Sequence, residues 1–313
     1  MDRRRSARGQ RKLRVLAVVA FALASAAMNG FAGDFEDGFK FYESSDYARA
    51  LNAFRRAAAN GHATAQYHLG LMHRKGEGVA KDYRQAVSWY EQAAARGNGS
   101  AQFDLGVMYA EGLGVVQDYR QAASWFEKAA TQGYAAAQFN LGVMYTEGKG
   151  VAQDYSQAVT WYEKATAQGY APAQFNLGLM YHNGQGVAQD YRQAASWYER
   201  AAAQGNAQAQ FNLGVMHYNG QGMARDYKTA MSWYEKATAQ EYAPAQVNLG
   251  SMYFNGEGVA QDYVEAYKWF MLAAKSGDEV AAKHREIVTK KMTPEQMAEA
   301  ERRANAWMKK PRN

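Results

Sequence analysis

Residues 171–205 read APAQFNLGLMYHNGQGVAQDYRQAASWYERAAAQG. The stretch divides at Asn183-Gly184-Gln185-Gly186, a glycine-rich break between two segments of helical character. The first segment runs from Ala171 to about His182, with Pro172 in its first turn, where a missing N–H costs nothing. The second opens at Asp190 with Gln193 three residues on, the spacing of a capping box that satisfies two backbone donors. It ends at Gly205, a residue suited to the left-handed conformation found past helix C-termini. Tyr191, Ala194, Ala195, Tyr198 and Ala202 fall on one stripe, which Trp197 and Ala201 widen. A face this wide suits a helix that touches both its own partner and the next unit. In the first helix Ala173, Leu177 and Met180 or Tyr181 mark the inward stripe. Gly178 falls mid-helix, where glycine costs about 1 kcal/mol relative to alanine. The expected compensation is close approach of the paired helix, with an aromatic side chain filling the space.

The same unit recurs along the chain. AQxxLG begins at Ala65, Ala101, Ala137, Ala173, Ala209 and Ala245, each 36 residues after the last. Asp-Tyr recurs in step from Asp82 to Asp262, and tryptophan from Trp89 to Trp269. The cap pattern repeats as Asp82 with Gln85, Asp118 with Gln121 and Asp154 with Gln157. An unbroken register of this kind marks a quasi-one-dimensional array, in which each unit buries its apolar face against its neighbours. It overrides the two domains that 313 residues would otherwise suggest.

These residues resemble the Sel1-like repeat, a relative of the tetratricopeptide repeat. The family pattern is met by Ala137, Leu141, Gly142, Tyr145, Gly148, Gly150, Val151, Asp154, Ala158, Trp161, Ala165 and Gly169, and the resemblance covers residues 61–277. It implies an all-α fold, an α/α solenoid coiled as a right-handed superhelix. His73 and His217 replace the pattern's tyrosine, Met223 its valine and Glu241 its terminal glycine. Glutamate resists positive φ, so a loosened turn is expected between the fifth and sixth units. Residues 33–60 read as a degenerate helical pair before the six repeats. Residues 278–313 read as C-terminal capping helices, the last starting with a Thr293–Gln296 capping box and carrying Met297, Ala300, Ala304 and Trp307 or Met308 on one apolar face.

The formal charge of +6 has a single source. Residues 1–33 hold seven basic side chains, from Arg3 to Arg14, and one acid, Asp2. Removing these from the chain's 36 basic and 30 acidic residues leaves 29 of each. The repeats are therefore near neutral and offer nothing to nucleic acid. An uncharged run from Val15 to Ala27 follows the basic stretch and is shorter than a bilayer span. Residues 1–32 thus read as a secretory signal peptide, cleaved after Ala26 or Ala32. The expected location is periplasmic or secreted in a bacterium, with no integral membrane span after cleavage. The chain has no cysteine, which rules out a lipid anchor attached at a cleavage-site cysteine and any disulfide framework.

Few residues carry chemistry. GxGV lacks the preceding strand and the Gly-Lys-Ser/Thr ending of a phosphate loop, and it recurs in every unit, so it reads as a turn. His182 and His217 stand in neighbouring columns without further ligand residues, and no metal or cofactor is expected. No convergent acid, base and nucleophile interrupt the repeat register. A Ser-x-x-Lys nucleophile is absent. This sets the chain apart from the β-lactamase-like or penicillin-binding enzymes among cysteine-rich members of the resembling family. A non-enzymatic protein is expected.

Three columns of the first helix could carry recognition. One varies from unit to unit: Arg74, Ala110, Thr146, His182, Tyr218 and Phe254. A second holds Phe103, Phe139, Phe175 and Phe211. A third holds Asn140, Asn176 and Asn212, placed to form an amide ladder or to contact a peptide backbone. The phenylalanines line a peptide-gripping groove on the concave side, or they form inter-repeat core and leave only the variable column exposed. The function expected is a scaffold or adaptor binding a protein or peptide partner, the alternative a structural spacer without a ligand. The resemblance implies adaptor roles in envelope assembly, secretion, polysaccharide export, signalling or host contact, and does not choose among them.

Overall fold

The computed structural model describes residues 33–309. The predicted signal peptide lies outside the described residues. The described residues group into two compact units, divided between Gln153 and Asp154 inside the third repeat. Among the described residues the secondary structure is helical throughout, in successive packed pairs.

In the first unit a helix over 33–43 (α1) precedes α2 (Tyr47–Ala59). Then come the pairs α3 (Ala63–Lys75) with α4 (Tyr83–Ala95) and α5 (Gly99–Glu111) with α6 (Tyr119–Thr131), followed by α7 (Ala135–Glu147). The second unit begins with α8 (Tyr155–Thr166). The pairs α9 (Ala171–Asn183) with α10 (Tyr191–Ala203), α11 (Ala207–Asn219) with α12 (Tyr227–Thr238), and α13 (Ala243–Asn255) with α14 (Tyr263–Lys275) follow. It closes with α15 (Glu279–Thr289) and α16 (Pro294–Met308), both packed on α14.

The helix ends follow the local chemistry, with one difference. Asp190 accepts from the backbone N–H of Arg192 at 2.8 Å and of Gln193 at 3.1 Å, so one carboxylate serves both donors. The Gln193 side chain returns no bond to the cap, and the capping box expected there is a carboxylate cap alone. A full capping box forms at α16, between Thr293 and Gln296. The GxG turns work by close approach as well as by positive φ. A Cβ on Gly222 (φ 72°) would stand 2.8 Å from the Tyr191 carbonyl carbon, because this loop rests on the start of the previous repeat's second helix.

The turn at Glu241 is not loosened. Glu241 takes φ 59°, and its N–H donates to Thr238 O at 2.9 Å. Gly169, its equivalent two repeats earlier, has φ 77° and donates to Thr166 O at the same 2.9 Å. Packing on both sides overrides the residue's preference, and the cost stays in the backbone.

Burial follows the predicted stripes. Ala194, Ala201, Leu177 and Tyr198 are buried, as are Ala300 and Ala304 of α16. Trp307 meets the buried Trp269 edge-on at 5.6 Å between ring centres, so α16 covers the last repeat.

Candidate functional site

The mid-helix glycine sets the geometry of each pair. A Cβ on Gly214 would meet Tyr234 Cε1 at 2.5 Å, and one on Gly106 would meet Phe126 at 2.6 Å. The aromatic ring of the second helix thus fills the space at the glycine of the first, as the sequence leads one to expect. The phenylalanine column packs against that ring with the two planes tilted by 36–48°. Phe175 lies 5.8 Å from Tyr198, Phe211 5.8 Å from Tyr234 and Phe103 5.7 Å from Phe126. Phe211 also packs on the next repeat's core. Phe103, Phe139, Phe175 and Phe211 are all half-buried, part of the seam and part of the surface.

The asparagines do not stack on one another. Asn176 Nδ2 donates to Tyr162 Oη at 3.1 Å, and Asn248 Nδ2 to Tyr234 Oη at 3.1 Å. Asn212 stands at the same 14-residue offset from Tyr198, but there the buried hydroxyl has no hydrogen-bond partner, and burial pushes it well above its ordinary pKa. The Asn176 and Asn248 bonds reach back 14 residues to the previous unit's second helix, where a buried hydroxyl needs a partner. Asn140 is the exception, because Phe126 stands where its tyrosine would be. At the first unit's start His68 takes the asparagine position and stacks on Phe54, ring centres 5.0 Å apart and 10° from parallel. Burial, helped by Lys75 and His62, lowers its pKa to about 4. Asp104, also in this column, is buried and takes Arg74 Nη1 at 3.1 Å; burial pushes its carboxyl up despite the guanidinium.

The variable column is half-buried throughout: Arg74, Ala110, Thr146, His182, Tyr218 and Phe254. Its large members lean on the tyrosine that opens the paired helix. His182 lies 5.1 Å from Tyr191, Tyr218 5.1 Å from Tyr227 and Phe254 5.5 Å from Tyr263. Tyr218 Oη donates to Glu257 at 2.9 Å, and burial, with this bond second, raises its pKa to about 12. Small clefts open between successive first helices. In the first unit one of about 200 Å3 includes Ala110, Phe126, Asn140 and Glu147 in its wall. In the second unit one of about 130 Å3 is lined by Tyr218, Asn248 and Ser251, and one of about 230 Å3 by Phe254, Phe270 and His284.

The polar ladder that does exist is built from glutamine, a column sequence reading passed over. Gln102, Gln174 and Gln210 are buried. Their Oε1 atoms accept from Gln132 at 2.7 Å, Gln204 at 2.9 Å and Gln240 at 2.9 Å, always 30 residues on. Gln102 and Gln210 also donate back to Ala94 O and Ala202 O. The signal was present: glutamine occupies every second position of AQxxLG, one turn from a buried leucine.

Comparison with known proteins places the whole pattern. A Sel1 repeat protein from Oxalobacter formigenes is 30% identical over 77% of this chain and 96% of its own, with a TM-score of 0.69. A second Sel1-like structure, c5321, a protective antigen of uropathogenic Escherichia coli, is 30% identical over 92% of this chain and 78% of its own, with a TM-score of 0.42. No curated protein sequence matches the chain. The Sel1 repeat profile matches six consecutive segments, 63–98, 99–134, 135–170, 171–206, 207–242 and 243–278. With its caps, glycine seams and paired helices in the register of those six segments, the chain belongs to the Sel1 repeat family.

Proposed function

We propose that this chain is an exported, non-enzymatic scaffold that holds a protein or peptide partner on the face made by its first helices. Sel1 repeat solenoids are commonly protein-interaction scaffolds and generally non-catalytic. The observation that carries the reading is the placement of the variable column. The residues of the variable column are half-exposed, and Ala110, Tyr218 and Phe254 among them border clefts beside the first helices, while the repeated alanines and leucines are spent on packing. Variation confined to the rim of a regular frame is what recognition along a solenoid requires. Near-neutral repeats leave that recognition to shape and local polar contacts. Export is supported by the basic stretch and uncharged run within residues 1–27.

A photo-crosslinking amino acid at Ala110 or Tyr218, with Ser124 and Ser232 of the second helices as controls, tests this in the native cell envelope. A discrete adduct from the first pair and none from the controls is the expected result. Equal labelling from all four sites, or none, would leave the spacer as the better account. Fusing residues 1–40 to a phosphatase active only after export tests the location.

A further inference from the structure

The cleft between α5 and α7 is wider and more acidic than its counterpart between α11 and α13. Its volume is about 200 Å3, against about 130 Å3 for the later one. Two residues account for the difference. Ala110 stands where Tyr218 does, and Phe126 stands where Tyr234 does, so one ring and one hydroxyl are missing. Without that hydroxyl Asn140 has no bond of the kind that occupies Asn176 and Asn248, and it lines the cleft. Val107, Phe126, Val143 and Met144 supply apolar wall.

The charge comes from the helix ends. Glu111 and Glu147 close α5 and α7, both are exposed, and both line the cleft. The first helices of the second unit end instead in the neutral Asn183, Asn219 and Asn255. A carboxylate at a helix C-terminus sits at the negative end of the macrodipole, so it opposes its own helix and deepens a field that favours a cation. Lys149 Nζ meets Glu147 at 2.7 Å and lies 5.8 Å over the Tyr119 ring. Glu111 has no ion-pair partner among the described residues. One built-in cation therefore serves two carboxylates and two helix ends, and the cleft stays negative.

A fitting group brings positive charge on an apolar stem, with donors for a carboxylate and an amide oxygen together. Arginine does this. Its guanidinium is weakly hydrated and presents its donors in a planar fork, and its methylenes pack on valine and methionine. An ammonium holds its water more firmly and acts as a point charge. We propose that the cleft between α5 and α7 holds an arginine side chain of the partner polypeptide, its guanidinium between Glu111 and the Asn140 carbonyl. The site belongs to the recognition face proposed above and depends on that reading.

Titration of the full chain with acetyl-Gly-Ala-Arg-Ala-Gly-amide, followed by methyl NMR, tests this, with lysine and citrulline versions as comparators. Citrulline keeps the shape and drops the charge. The arginine peptide should bind at least fivefold more tightly than either comparator and shift the Val107 and Val143 methyl signals. Glu111→Gln should abolish its preference over citrulline. Glu127→Gln, at an exposed acid of α6 outside the cleft wall, should preserve it. Equal affinity for arginine and either comparator, shifts confined to other methyls, or an equal loss from the two substitutions would overturn the proposal. A crosslink from Ala110 without an arginine preference would sink this inference and leave the scaffold standing. No crosslink from Ala110 or Tyr218 would sink the scaffold, and this inference with it.

Discussion

The Cδ1–Cε1 side of the Tyr198 ring presses on Gly178: a Cβ built on that glycine would stand 2.7 Å from both atoms. Glycine is kept mid-helix here because the paired helix leaves no room for a methyl group. Tyr198 is fully buried and cannot swing away without opening the seam. Gly178→Ala should therefore destabilise the protein by about 2 kcal/mol, overpacking outweighing the gain in helix propensity. Thermal or urea unfolding checks this. In a Tyr198→Leu background the same change should cost much less, since the two residues share one contact.

The alternation of caps, breaks and apolar stripes made the fold legible, because those signals act within a few residues and recur in step. The Gly178–Tyr198 contact was legible too, since a costly residue repeated at one position needs a compensating neighbour. Recognition surfaces were less so. The asparagine column looked available for a ligand, but Asn176 and Asn248 answer tyrosine hydroxyls on another repeat. Those tyrosines sit among packing residues, and periodicity does not say which way a hydroxyl points. The glutamine ladder was hidden for the opposite reason: its donors, 30 residues on, fall where arginine and serine also occur.

Glu241 holds a conformation that glycine holds in the five equivalent turns from Gly61 to Gly205. The left-handed region places its Cβ against the carbonyl oxygen, a cost that glycine avoids. Glu241→Gly should stabilise the protein by about 1 kcal/mol, the relief of strain exceeding glycine's extra chain entropy. A higher urea midpoint with an unchanged slope is the expected reading. An unchanged or lower midpoint would mean that contacts of the Glu241 side chain matter more than its backbone.

His68 gives the first unit a pH dependence with a definite sign. Its pKa is about 4 in the fold against an ordinary 6.5, so between those values the unfolded chain binds a proton that the folded one refuses. Stability is thus complete above pH 6.5 and falls as the pH drops towards 4, by at most on the order of 3 kcal/mol. His68→Asn places there the residue found at Asn140, Asn176, Asn212 and Asn248 and removes the titration. Unfolding of both proteins at pH 7.5 and 4.5 should show a smaller acid loss in the variant. An equal loss in both would assign the acid sensitivity to other groups.

Asp104 is a buried carboxylate standing where most repeats place a neutral amide, and the half-exposed Arg74 pairs with it. Arg74 approaches across one repeat, Nη1 to Oδ1 at 3.1 Å, and its side chain remains 32% exposed against 9% for the aspartate. Removing one member of a fully buried pair costs about 3–5 kcal/mol, because the other charge is left without compensation. The exposure of Arg74 lowers the figure, and Arg74→Ala should cost about 2 kcal/mol. Asp104→Asn should be nearly neutral, since an amide at this position can donate to the Tyr90 hydroxyl as Asn176 does to Tyr162. The double variant is the decisive measurement. If the cost of Arg74→Ala is the stranded carboxylate, adding Asp104→Asn recovers most of it. If the cost is lost packing of the arginine stem against the first-helix face, the two changes add and nothing is recovered.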